Sequence, residues 1–166
     1  MPRDLSAVTL VDPRPAEWAA RFAAIAGIVA TTLAGARVEH IGSTAIPGLA
    51  SKDVVDVLVG VAPAQVVNAT GLLERAGMLR DGSTADHAWL WVEPKGHDGG
   101  GVVHVVAVDG PVWHSRILFR EVLRRSPSAR ADYLAVKRSA AEGSPDWGSY
   151  TAAKRDIVAR LLARAE

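Results

Sequence analysis

Residues 38–61, V-E-H-I-G-S-T-A-I-P-G-L-A-S-K-D-V-V-D-V-L-V-G-V, decide the fold. Two short apolar runs, 37–41 and 53–61, flank a polar loop that holds Gly42-Ser43-Thr44 and Pro47-Gly48. Each run has the length and β-branched content of a strand, and Pro-Gly forces a turn between them. The second run carries an acid. Strand residues alternate faces, so Val54, Asp56 and Leu58 share one face and Val55, Val57 and Val59 the other. A carboxylate in such a run is costly unless it is paired, hydrogen-bonded or bound to a metal, which makes Asp56 either a ligand or a structural partner. A Gly-Ser-Thr turn offers backbone N–H groups and two hydroxyls to phosphate oxygens, although Gly-Ser also ends many ordinary strands.

Outward from this centre the pattern alternates between helix and strand. Val8, Leu10 and Val11 before Asp12-Pro13 predict a short edge strand. Trp18, Phe22, Ile25, Val29 and Leu33 recur at helical spacing across 15–34, and Gly35 supplies the stop. Pro63 opens a helix to about residue 76, weakened by Gly71. Residues 87–93 and 101–108 read as strands joined by a hairpin loop, P-K-G-H-D-G-G. Gly99, Gly100 and Gly101 fall at that expected tip, and no Lys-Ser/Thr follows them, so they are not read as a nucleotide cradle. From Trp113 the chain is helical: one helix to Arg125, a second capped by Ser126-Pro127 to about Ala141, and a last one capped by Asp146. The expected architecture is α/β, a mixed twisted sheet of about four or five strands with helices mainly on one face and C-terminal helices closing over the loop 42–52.

The 166 residues suit one domain, 1–166. With 49% hydrophobic and 22% charged residues the composition is that of a soluble globular protein, and no apolar run approaches the ~20 residues that span a bilayer. The start, M-P-R-D-L-S, has no apolar signal core, so the expectation is a cytoplasmic protein without a membrane partner. Cysteine is absent, so any metal must be held by oxygen or imidazole. Through Pro111 there are eight Lys or Arg against twelve Asp or Glu, and beyond it eleven against six. The basic C-terminal third favours an anionic ligand, or equally a solvated helix surface; the net charge of +1 is too mild to argue for nucleic acid.

The run E-H-I-G-S-T-A-I-P-G-L-A-S-K, residues 39–52, closely resembles the signature of the GrpB family, a branch of the nucleotidyltransferase superfamily whose members are also fused to some bacterial dephospho-CoA kinases. L-F-R-E-V-L-R-R-S-P (118–127), Y-L-A-V-K (133–137) and Y-T-A-A-K (150–154) extend the likeness over nearly the whole chain. The resemblance implies that Gly42 and Ser43, with Thr44 beside them, position nucleotide phosphates. It also implies strand acids at i and i+2 that hold magnesium, with a third acid on a later strand, since carboxylates on one strand face can bridge divalent cations. Here those positions are Val54 and Asp56, so one acid is missing. Asp53 has the wrong parity, and relatives commonly carry Pro there, which makes it incidental. His104 stands where the third acid would be, either a hydrogen-bonded core residue or, facing Asp56, part of a one-metal site or an acid/base pair.

Tyr133 with Lys137 and Tyr150 with Lys154 are i, i+4 pairs. With Arg120 and Lys52 these lysines are candidate phosphate contacts; the plainer reading is Tyr at the core edge with Lys reaching water. Arg116 and Arg124 share a stripe with Arg120 but lie outside its motif. His40 is assigned to the loop backbone, and His87, His97 and His114 are assigned no role. Two readings stand. One is a nucleotidyltransferase that binds ATP or another nucleoside triphosphate, with magnesium on Asp56 and catalysis by Asp56 and His104, and passes a nucleoside monophosphate to an acceptor the sequence does not name. The other is a non-catalytic nucleotide- or anion-binding module that has kept the fold but lost the two-metal centre.

Overall fold

The computed structural model describes residues 8–92, 98–143 and 147–165. In chain order these form helix α1 (Pro15–Thr32), strand β1 (Arg37–Ile41), a single 3-10 turn (Ser43–Ala45), β2 (Asp53–Val61), a 3-10 turn (Pro63–Gln65) leading into α2 (Val66–Arg75), then β3 (Leu79–Ser83), β4 (His87–Val92) and β5 (Asp98–Ala107). Helices α3 (Pro111–Arg125), α4 (Pro127–Gly143) and α5 (Trp147–Ala163) follow. The strands make one mixed sheet in the order β1-β2-β5-β4-β3. β2 and β5 are parallel, and the other pairs are antiparallel.

The bounds of β1 and β2 are those that the two apolar runs predict, because both runs pair along their whole length. Three expectations change. The edge strand at residues 8–11 is reduced to one bridge, Val11 to Ser51. β3 is an additional edge strand whose sequence, L-R-D-G-S, has no apolar alternation; its register shifts between Arg80 and Gly82, where a side chain would collide with the Trp89 ring. Gly99–Gly101 lie inside β5 rather than at a hairpin tip. At Gly101 a Cβ would come within 2.5 Å of Ile25 Cδ1, so the missing side chain is what lets α1 lie close on the sheet. Residues 94–97 of that loop, His97 included, and the Asp146 cap lie outside the described residues. The Ser126 cap is present: its hydroxyl accepts the Ala129 N–H at 3.1 Å.

One face of the sheet, Val55, Val57, Val59, Leu90, Val103 and Val105, packs under Trp18, Ile25 and Val29 of α1, under Leu33 just after it, and under Ala69 and Leu73 of α2. The opposite face is apolar at its two ends, Ile41, Leu58 and Val106 under Trp113 of α3, and Val54 with Trp91 and Val102. Asp56 and His104 belong to that face by strand parity. The loop after β1 anchors the C-terminal helices: Ile46 and Leu49 are buried with Leu123, Ala129, Tyr133, Ile157 and Leu161. The helices therefore close over the loop, as expected. Among the described residues no helix is long and apolar enough to cross a membrane.

Candidate functional site

The site begins where β1 ends. Ile41 pairs with Asp56 in the antiparallel ladder, so the turn that follows β1 is carried directly over that acid. Gly42 has φ 72° and ψ −174°, a region almost confined to glycine. A Cβ there would sit 2.6 Å from Asp56 Oδ2. Ser43 and Thr44 follow in the 3-10 turn, both buried. Thr44 Oγ1 is bonded to His40 Nε2 at 2.9 Å, and the His40 ring stacks on Phe22 of α1. His40 thus braces the turn through a side chain rather than through the loop backbone, and burial holds its pKa down at about 4, so the ring is neutral at pH 7.

Below the turn a chain of hydrogen bonds crosses three strands. His104 Nε2 lies 3.2 Å from Asp56 Oδ1, and His87 Nε2 lies 3.0 Å from His104 Nδ1. Burial pushes the Asp56 carboxyl up, but the His104 hydrogen bond and the charges of His104, Lys52 and Arg116 outweigh it and bring its pKa down to about 2. As a carboxylate it can only accept, so His104 donates from Nε2. Burial lowers His87 to about 4, helped by His104 and Arg116. The Asp56 side chain keeps 31% of its surface accessible. Protein surrounds it without covering it, as at the floor of a cleft.

Three lysines meet beside this floor. Lys52, at the end of the loop, has its ammonium 5.3 Å from the centre of the Tyr150 ring, and Lys154 of α5 approaches the same ring at 4.5 Å. Lys137 of α4 lies 5.4 Å from the Tyr133 ring, only 1% exposed, and donates to the Ala50 carbonyl at 2.8 Å. Burial, with Lys154 next, pushes Lys52 and Lys137 far below the usual lysine range; Asp56 is the nearby charge acting the other way. An anion beside these amines would favour their charged forms.

The arginine stripe of α3 splits three ways. Arg120 donates to Glu39 at 2.7 Å and to the His40 carbonyl at 3.0 Å, so it clamps β1 rather than joining the lysines. Arg124 holds the Ala45 carbonyl. Arg116 is the one whose charge reaches both Asp56 and His87. Asp53 is not incidental: it accepts from Trp18 Nε1 at 2.9 Å and from Arg21 at 3.0 Å and pairs with Arg14, tying α1 to the start of β2. His114 is exposed. Sequence reasoning missed His87 and Arg116. The alternation H-A-W-L-W places His87, Trp89 and Trp91 on one face, but only the pairing of Trp89 with His104 brings His87 next to that imidazole.

Among the described residues no group of three or more His, Asp or Glu side chains converges as a metal site. Asp56 offers one carboxylate, with one oxygen already engaged by His104. That donor set does not suit a resident magnesium ion held by protein alone; it suits at most an ion that arrives on phosphate oxygens.

Residues 7–164 match the GrpB protein family. The chain belongs to the GrpB family. It is 44% identical over 164 residues to a UPF0157 protein of Deinococcus radiodurans, covering 98% of this chain and 85% of that one. It is 32% identical to the glutamate-rich protein GrpB of Alkalihalophilus pseudofirmus, over 75% of this chain and 76% of the relative. A dephospho-CoA kinase of Mycolicibacterium paratuberculosis matches at 36% identity over 89% of this chain, which spans 43% of that longer protein. Among solved structures, conserved protein GrpB from Enterococcus faecalis superposes with a TM-score of 0.76 at 27% identity, covering 94% of this chain and 98% of that one. The Cid1 poly(U) polymerase superposes with a TM-score of 0.56 at 13% identity, over 88% of this chain and 50% of its own, a likeness of fold. This GrpB-family chain therefore has a nucleotidyltransferase-like fold.

Proposed function

We propose that this GrpB-family chain binds a nucleoside triphosphate, ATP or another, with its phosphates against the loop 42–52 and Lys52, Lys137 and Lys154. The observation that carries the reading is the convergence of these three amines on two tyrosine rings beside Asp56, with burial depressing Lys52 and Lys137. Gly42, Ser43 and Thr44 bring the turn to the same place. The Cid1 structure that shares the fold is described as bound to MgATP, which supports a nucleotide here. Transfer would consist of attack by an acceptor oxygen on the α-phosphorus, with the bond to the β-phosphate breaking and pyrophosphate leaving. The lysines stabilise the charge that develops on the leaving group, and the Asp56–His104 pair lies ready to hold the acceptor's proton. Asp56 is the residue that would hold a magnesium ion carried in by the triphosphate, where the ion would neutralise phosphate charge.

The second reading, a nucleotide- or anion-binding module without transfer, is favoured by Val54. The position of the absent strand acid is filled by a valine side chain 3% exposed among Trp91 and Val102, which has no atom to offer a metal. Calorimetry with ATP, with and without magnesium, on the native chain and on Asp56→Asn tests both. Removing a negative charge beside three lysines should tighten magnesium-free ATP binding several-fold and abolish any gain from magnesium. ATP binding that is absent from the native chain would end the proposal; binding without pyrophosphate release on acceptor screening would leave the module.

A further inference from the structure

Helices cover only part of the Asp56 face of the sheet. Helix α3 rests on β1 and β5, with Trp113 over Ile41, Leu58 and Val106, while α4 and α5 pack on α3 and on one another. The helix against β4 is α2, and it lies on the opposite face, where Leu73 and Leu90 share the main core. Among the described residues no helix is therefore packed across β3 and β4 on the side of Asp56. Strand alternation puts His87, Trp89 and Trp91 on this open part, because Trp89 pairs with His104. Trp91 is buried there with Val54 and Val102, and Trp89 is half-buried against them. The Trp89 indole lies over Gly82 of the edge strand, where a Cβ would collide with its Cζ2, Cε2 and Cη2. One side of the ring thus rests on bare backbone, and the residue keeps part of its surface accessible. His87, its ring centre 5.1 Å from that of Trp89, spends Nε2 on His104 and has no partner for Nδ1 among the described residues.

We infer that the base of the bound triphosphate stacks on the Trp89 indole, so that the phosphates and the base lie on opposite sides of Asp56. The inference deepens the triphosphate reading and rests on it. Lys52 and the loop 42–52 lie at the start of β2 and toward β1, whereas Trp89 lies toward the other edge of the sheet, level with Leu58. Two strands across and two residues along from Asp56 is about 12 Å between Cα atoms, a span that a nucleoside attached to a phosphate at Asp56 fills. A flat heterocycle suits this place better than an aliphatic chain: the indole offers it a ring face, and His87 Nδ1 offers its polar edge a hydrogen bond.

The test compares Trp89→Ala and Trp89→Phe with the native full chain. ATP and inorganic tripolyphosphate are titrated calorimetrically in EDTA, and ATP binding is also followed by tryptophan emission. Trp89→Ala should lose about tenfold in affinity for ATP, the scale of one base stacked on an aromatic ring, and keep its affinity for tripolyphosphate, which has no base. Trp89→Phe retains a flat ring and should bind ATP within about threefold of the native chain, while the quenching that ATP causes in the native chain should be lost. Unchanged ATP affinity in Trp89→Ala, or the same quenching in Trp89→Phe as in the native chain, would overturn the inference and leave the triphosphate reading intact. Equal weakening of ATP and tripolyphosphate in Trp89→Ala would also overturn it, assigning the indole to the fold. If the native chain binds neither compound, the triphosphate reading falls first and this inference with it.

Discussion

Replacing Gly42 by alanine should strike the fold and the candidate site together, and Gly48 provides the control. Both glycines have positive φ, 72° and 75°, so alanine is strained at either. At Gly48 no atom lies within 4 Å of the added methyl, and the cost is backbone strain alone, about 1–2 kcal/mol. At Gly42 the backbone is in a region still less open to alanine, costing about 1–3 kcal/mol. The methyl would also lie 2.6 Å from Asp56 Oδ2, 3.1 Å from its Cβ and 3.2 Å from its Cγ. Moving the carboxylate oxygen alone does not relieve three contacts, so the Asp56 side chain must turn and release the 3.2 Å bond from His104. A hydrogen bond to a charged group contributes about 1.5–3 kcal/mol, which brings the total for Gly42→Ala to about 2.5–6 kcal/mol. In a chain of this length each kcal/mol moves the melting temperature by about 2–4 °C. Gly42→Ala should then melt at least about 5 °C below the native chain and clearly below Gly48→Ala, and the His104 imidazole resonances should shift in Gly42→Ala alone. Equal melting of the two variants, with His104 unmoved, would refute the close approach of turn and acid.

Arg120→Ala should destabilise the chain by about 2–3 kcal/mol, since it strands Glu39 and the His40 carbonyl, while ATP affinity changes less than about twofold; reduced affinity at unchanged stability would instead put Arg120 on the phosphates. His40 and His87 have pKa values lowered by burial from 6.5 to about 4, so they fold neutral. Their contribution is complete above pH 6.5 and is lost as pH falls from 6.5 toward 4, because the unfolded chain takes up protons first. Urea unfolding measured across that window should show stability declining with acid, less steeply in His40→Gln and His87→Gln; identical slopes in all three would contradict the buried neutral rings.

What residues 38–61 settle by themselves is local. Two apolar runs of strand length, a Pro-Gly turn between them and an acid of known parity give β1, β2 and the face of Asp56, because strand alternation operates between neighbours in the chain. The helices from Trp113 on follow from their period for the same reason, and the Tyr-x-x-x-Lys spacing correctly puts each amine beside a ring. β3 was illegible because a bulged edge strand needs no apolar alternation. The glycine run of β5 resembled a turn because nothing in its own sequence tells of Ile25 packing against it. Parity also said that Asp53 faces away from Asp56, but not that Arg14, Arg21 and Trp18 would meet it there. The three arginines of α3 share one spacing and part company only when the helix is set down across β1 and the turn. His87 joins His104 solely through the register of β4 on β5, in which a slip of one residue would turn it to the other face. Periodicity assigns each residue a face; which residues of different elements meet is decided by strand register and helix rotation, and those are set by packing between parts of the chain far apart in sequence.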